Sequence, residues 1–303
     1  MSNRRDFLKQ TTLGGAGFWL GGWRSQAQAD LVIPPSFQLR HFASKWGFQG
    51  DIDAFCQVAK AAGYQGIEIW LPQPDAVAPL QRALDKHELS LGLLVRGETA
   101  DAKEHLAQFV ANAKRAAALK PAFMNGHTGK EYFTFEQGKP FFTEAAAISA
   151  QTGIPFYHET HRARLLFAAH ITQAYLEAVP EMRLTLDISH WVVVHNHYLD
   201  ELAEALQLAF QRTAHIHSRV GYSNGPQVAD PRAPNESQAL DEHLAWWDAV
   251  VKARLAAGEN LTITPEFGPP SYMPTVPFTG QPLGNQWEIN LYMKALLTER
   301  YGA

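Results

Sequence analysis

The chain is short of several things, and each shortage narrows what it can be. It has one cysteine, Cys56, among 303 residues, which excludes an internal disulfide. Cys56 falls with Ile52, Phe55 and Ala59 at helical spacing, so packing in a core is its expected role. Charge is sparse at 18% of residues and acidic on balance, with a net of −4. An acidic body is poor equipment for holding a polyanion. No stretch is apolar for long enough to span a bilayer; the weakly apolar run at 11–23 is broken by five glycines. Low-complexity segments and inter-domain linkers are missing, and so is the glycine-rich first turn of a doubly wound open sheet.

The first 29 residues stand apart. The run Asn-Arg-Arg-Asp-Phe-Leu-Lys at 3–9 resembles a twin-arginine export signal, followed by the apolar run and by a small-residue cleavage pattern at Ala27 and Ala29. The alternative is a basic, unstructured N-terminus on a cytoplasmic protein. Residues 1–29 carry Arg4, Arg5, Lys9 and Arg24 against Asp6, a net of +3, so the remainder sits near −7. Export through the twin-arginine machinery to the periplasm and a soluble mature protein are expected.

Beyond residue 30 the pattern alternates strand and helix. Strands are predicted at 37–42, 66–70, 89–95, 122–126, 154–159, 182–187, 213–217 and 260–266. Helices are predicted at 51–62, 74–87, 100–119, 133–151, 165–179, 199–211, 240–257 and 285–301, with Asp51 near one start and Gly63 and Gly153 just past two ends. Eight such pairs predict an α/β fold, a single-domain (β/α)8 TIM barrel over 30–303, and a hydrophobic fraction of 46% supplies its core. The long loops 217–239 and 267–283 both follow strands with polar ends and are expected to wall the mouth of a pocket.

Four consecutive strands end on a metal-competent side chain: Glu159, Asp187, His217 and Glu266. Three carboxylates and one imidazole at the C-terminal rim of a parallel barrel suit Mn²⁺, Mg²⁺, Co²⁺ or Zn²⁺ with positions left for substrate. Each alone is an ordinary solvated strand end; the regularity across strands five to eight argues for a shared site. Glu68 and His127 end strands two and four and either contact substrate oxygens or support the ligands by hydrogen bonds. His190 stands one short step into the loop after strand six. His215 is expected to be a buried, hydrogen-bonded histidine, and His158 to face the helices. Trp70 and Trp191 flank polar strand ends, where a tryptophan stacks on a sugar or, more commonly, packs at a rim.

The motifs Gly66-Ile67-Glu68, His158-Glu159-Thr160-His161-Arg162, Asp187 with His190, His215 with His217, and Pro265-Glu266 resemble the xylose isomerase-like barrel superfamily, which holds sugar isomerases, ketose 3-epimerases and an apurinic endonuclease. The resemblance implies that Glu159, Asp187, His217 and Glu266 hold the metal and that His190 binds substrate. The chain departs from the ketose epimerases at Leu165, where they carry a second glutamate, and at Ser223, where they carry an arginine. Arg162, Arg164 or Arg219 is then expected to orient the substrate. It departs from the endonuclease branch at Arg232, where a zinc-binding histidine is required.

These readings predict a metal-dependent sugar isomerase or epimerase acting on a small carbohydrate by enediolate-type proton transfer. Glu159 and Glu266 are the expected base and acid, or ligands only. The alternatives are a lyase or hydrolase on an oxidised sugar and a non-catalytic periplasmic sugar-binding protein. Neither nucleic acid nor a stable membrane insertion is expected as a partner, and a homo-oligomer is left open.

Overall fold

The computed structural model describes residues 31–302; the export signal predicted at 1–29 lies outside them. Eight parallel strands close into a barrel in the order β1 to β8: β1 (Leu39–Ser44), β2 (Gly66–Trp70), β3 (Ser90–Arg96), β4 (Phe123–His127), β5 (Phe156–Glu159), β6 (Arg183–Leu186), β7 (Thr213–His217) and β8 (Leu261–Thr264). The seam is made where β8 pairs with β1, His41 beside Ile263. Nine helices surround it among the described residues: α1 (Ile52–Ala61), α2 (Val77–His87), α3 (Ala102–Ala118), α4 (Phe135–Thr152), α5 (Ala169–Ala178), α6 (Ser189–His195), α7 (Ala203–Arg212), α8 (Ser237–Ala256) and α9 (Gln286–Tyr301). None of them is long and apolar enough to cross a membrane. The fold is the predicted (β/α)8 barrel.

Local chemistry sets most boundaries. Asp51 caps α1 by accepting from the Ala54 amide, and Asp101 caps α3 by accepting from Lys103 and Glu104. Thr134 and Gln137 form a reciprocal capping box at α4, which ends at Gly153 with a left-handed φ of 70°. Cys56 is buried on α1 beside Phe55 and Ala59, in the core as its spacing implied.

Several elements differ from expectation: β5 starts two residues late and α7 four, behind a 3-10 turn at Asp200–Leu202, and three further differences are instructive. β1 starts two residues late, because the 31–38 segment turns through a Phe37 amide bond to the Pro34 carbonyl before it enters the sheet. The helix expected at 165–179 begins only at Ala169. Leu165 instead donates its amide to the Thr128 carbonyl and buries its side chain, which pins the segment as a loop over β4. The segment after β6 is not a loop at His190: it winds at once into α6, so His190 sits in the first turn of a short helix. That helix buries Ser189, His190, Trp191 and Val192, an apolar stretch whose β-branched residues masked its helical character.

Candidate metal centre

The C-terminal ends of β5 to β8 converge. Glu159 closes β5, Asp187 stands one residue past β6, His217 closes β7 and Glu266 lies two residues past β8. Each offers a ligand atom, all within 4.8 Å of one another, and all four side chains are buried. The nearest oxygens of Glu159 and Glu266 are therefore closer together than their strand numbers suggest.

The His217 ring decides whether a cation fits. Its Nε2 lies 3.0 Å from Glu68 Oε2, and Glu68 is itself held by Thr264 (2.6 Å), Asn125 (3.0 Å) and His215 (3.3 Å). A carboxylate behind a histidine fixes the tautomer and turns the other nitrogen toward the ion. That other nitrogen, Nδ1, lies 3.0 Å from Glu266 Oε2 and 3.6 Å from Glu159 Oε2. Yet it is buried and makes no hydrogen bond of acceptable geometry among the described residues. A buried nitrogen at ion-pair distance from Glu266, close to Glu159, and without a well-formed hydrogen bond could serve as a ligand, and the donor set fits a divalent cation.

Electrostatics agree. Burial works against a charged His217, but Glu266, Glu68 and Glu159 together hold it well above the ordinary histidine range. Burial likewise opposes ionisation of Glu68, and His217 and His215 reverse that, leaving its carboxyl well below the usual range. Asp187 is pushed up to about 6 by burial, with Arg219 pulling the other way, so it remains ionised at neutral pH. The cluster thus demands positive charge, which a proton on His217 or a metal displacing it supplies.

The other expected site residues divide into two groups. His127 contacts Glu159 directly, Nε2 to Oε2 at 2.7 Å, and lines the cavity above the cluster. Arg219 is fully buried with its guanidinium against Asp187, 3.4 Å from Glu266 Oε2 and 3.1 Å from His190 Nε2. Burial opposes its charge, and Asp187 and Glu266 keep it raised. Glu68 supports His217 more than it faces open space. His190 stands behind Arg219, away from the cavity lining, and burial together with His161 and Arg219 holds it well below the ordinary histidine range. Arg162 is exposed and stacks on Tyr272 at 5.0 Å. Asp230 is paired with Arg232 at 2.6 Å on the surface, not turned toward the cluster. His158 faces α4, packing on Phe142 at 4.8 Å, and burial drives it down to about 3. Trp191 is buried, its indole donating to the Leu166 carbonyl.

Four residues at this site gave no usable sequence signal, and His161, though inside a matched motif, was given no role. Asn125, Ser189 and Thr264 sit in or beside polar strand ends, but only their neighbours matched a motif. Ser189 donates to Asp187 Oδ1 at 2.5 Å, and Asn125 bridges Glu68 and Glu159. Tyr272 comes from the proline-rich loop after β8 and packs on Arg219 at 4.8 Å.

With this geometry in view, residues 56–266 match the model of the xylose isomerase-like TIM barrel family. The chain belongs to that family. Three solved structures share its fold. The 3-keto-D-glucoside 4-epimerase of E. coli superposes with a TM-score of 0.58 at 13% identity, covering 86% of this chain and 100% of its own. The probable 3-DHS dehydratase of Bacillus anthracis gives 0.55 at 16%, covering 86% and 99%. A family member from Mycobacterium smegmatis, in complex with magnesium, gives 0.58 at 11%, covering 89% and 100%. At such identities the likeness is one of fold. No curated protein matches the chain in sequence.

Proposed function

We propose that the protein is a divalent-metal-dependent sugar isomerase or epimerase. The observation that carries this reading is His217: its Nε2 is fixed by Glu68, and its Nδ1 faces Glu266 at 3.0 Å and Glu159 at 3.6 Å without a well-formed hydrogen bond, in one cluster with Asp187. A cation held there supplies Lewis acidity to a carbonyl and its neighbouring hydroxyl, making the adjoining C–H more acidic. Glu159 and Glu266 both line the cavity, which supports them as the groups that remove that proton and return it. Arg219 neutralises part of the negative charge of Asp187 and Glu266, and His127 can pass a proton to or from Glu159. The E. coli fold relative acts on a 3-keto-D-glucoside, which supports an oxidised or ketose sugar as substrate.

The test is a screen of free and oxidised sugars with the metal-loaded protein in deuterated water. Solvent deuterium in the product carbon is the expected result. Glu266→Gln should lower that exchange by about 10²–10⁴-fold, and Asp187→Asn should lower the bound metal per chain. Deuterium-free product, or full exchange in Glu266→Gln, would overturn the reading.

A lyase acting on an oxidised sugar is the second reading. It is favoured by His127 against Glu159, a proton carrier beside the base of the kind that loss of a leaving group needs. It predicts that a hydroxyl or an aglycone is released with exchange, where an epimerase releases nothing. The arginine pair at positions 4 and 5 supports the further proposal that the folded protein is exported to the periplasm.

A further inference from the structure

The cavity above the metal cluster has a volume of about 570 Å³, within the range that buries a ligand well beyond a single hexose. Its two sides differ in chemistry. On the β5–β8 side stand Glu159, Glu266, Arg219 and His161. On the β1–β3 side the wall is Ile52, Pro72, Pro79, Leu80 and Leu94, where Ser44 and Lys45 are the polar residues apart from the inward-turned Glu68. A second sugar ring has hydroxyls to satisfy, and this wall offers few partners for them.

Two tryptophans flank the same arm, and both are held still while partly open. Trp46, just past β1, is 37% exposed. Its ring lies flush on the Gly268 backbone, where a Cβ would come within 2.3 Å, and its carbonyl accepts from Gln286 at 2.6 Å. Tyr272 meets it edge-on at 4.8 Å. Trp70, at the end of β2, is 40% exposed, with Arg96 over its ring at 4.4 Å and His127 against it at 4.7 Å. Rigid, half-open aromatic rings give contact area at low entropic cost, and they favour flat apolar groups.

We propose that this arm is an aglycone subsite and that the substrate is a glycoside carrying an aromatic or otherwise apolar aglycone, its sugar over the metal cluster and its aglycone between Trp46 and Trp70. The inference rests on the sugar-active reading above for the placement of the sugar, and the apolar arm adds the second half of the molecule. It also assigns Trp46 and Trp70 a specificity role separate from the acid–base groups.

The test measures binding, not turnover. The full metal-loaded protein is titrated with phenyl glucoside, methyl glucoside and cellobiose, followed by tryptophan fluorescence and by calorimetry. Phenyl glucoside should bind about tenfold more tightly than either of the others and shift the tryptophan emission. Trp46→Ala and Trp70→Ala should each reduce the phenyl-to-methyl ratio toward one while leaving methyl glucoside affinity in place. Equal affinity for phenyl and methyl glucosides, tighter binding of cellobiose, or an unchanged ratio in both variants would overturn it. The two proposals fail separately. Deuterium exchange on free sugars with no phenyl preference sinks the subsite alone, and phenyl preference with no exchange on any sugar sinks the isomerase reading alone.

Discussion

At the scale of single residues the protein is organised by one imidazole. His217 is bracketed by four carboxylates, three toward the candidate cation and Glu68 behind the ring. Substituting Glu68 with Gln keeps an acceptor for Nε2 but removes the charge that makes the ring a stronger donor to metal. Loss of such a partner lowers metal affinity by about 10–100-fold, and Glu68→Gln belongs at the lower end. Competition with a fluorescent chelator would measure it; unchanged affinity would mean that Glu68 only fills space. The four ligand candidates were legible in the sequence because each lies at or within two residues of a strand's C-terminal end, a position marked by the polar pattern and by the family resemblance. For Glu68 the sequence left two roles open, substrate contact or support of the ligands by hydrogen bonds, because its partners His217, Thr264 and Asn125 lie 149, 196 and 57 positions away. Arg219 illustrates the same limit: its position two residues after His217 marked it as near the site, but its burial against Asp187 comes from the closure of the barrel.

Among the elements, local signals decided where most helices start, and these signals can be removed one at a time. Asp101 accepts from two amides at the start of α3, so Asp101→Ala should cost about 1 kcal/mol of stability. Urea unfolding would register this as a lower midpoint at unchanged slope; an unchanged midpoint would show that water replaces the cap without penalty. Helices with such caps, α1, α3, α4 and α9, were placed to within a few residues from sequence. Those without a side-chain cap were placed less well. α5 starts four residues late, and α6 went unrecognised, since neither carries a capping hydrogen bond and both are defined by tertiary packing. Gly66 shows packing acting in the other direction: a Cβ there would meet the Phe42 ring at 2.3 Å and the Ser90 carbonyl at 2.7 Å, so the start of β2 needs the bare backbone.

For the molecule as a whole, acidity is the relevant stress. His41 and His158 are driven to about 3 and His243 to about 4, burial being the largest cause in each. In the unfolded chain these rings take up protons near the ordinary value of about 6.5. Between the two values the unfolded state binds more protons, so stability falls as pH drops from about 6.5 toward 4. The raised His217 contributes with the opposite sign in metal-free protein: its stabilisation is complete below about 6.5 and is lost as pH rises through its folded value. Denaturation midpoints of the metal-free protein at about pH 7 and pH 5 should show the acidic sample weaker, the three buried rings outweighing the one. A midpoint that holds or rises on acidification would refute the assignment of these rings as neutral in the fold.

The seam between β8 and β1 carries a consequence for biogenesis. Glu266 follows the last strand to emerge from the ribosome, while Trp46 follows the first. A nascent chain that stops before β8 has unpaired edges on β1 and β7 and only three of its four candidate donors. A cation that needs all four donors would therefore find its site only once synthesis of the barrel is complete, and the choice of ion would follow what is available in the compartment where the chain folds.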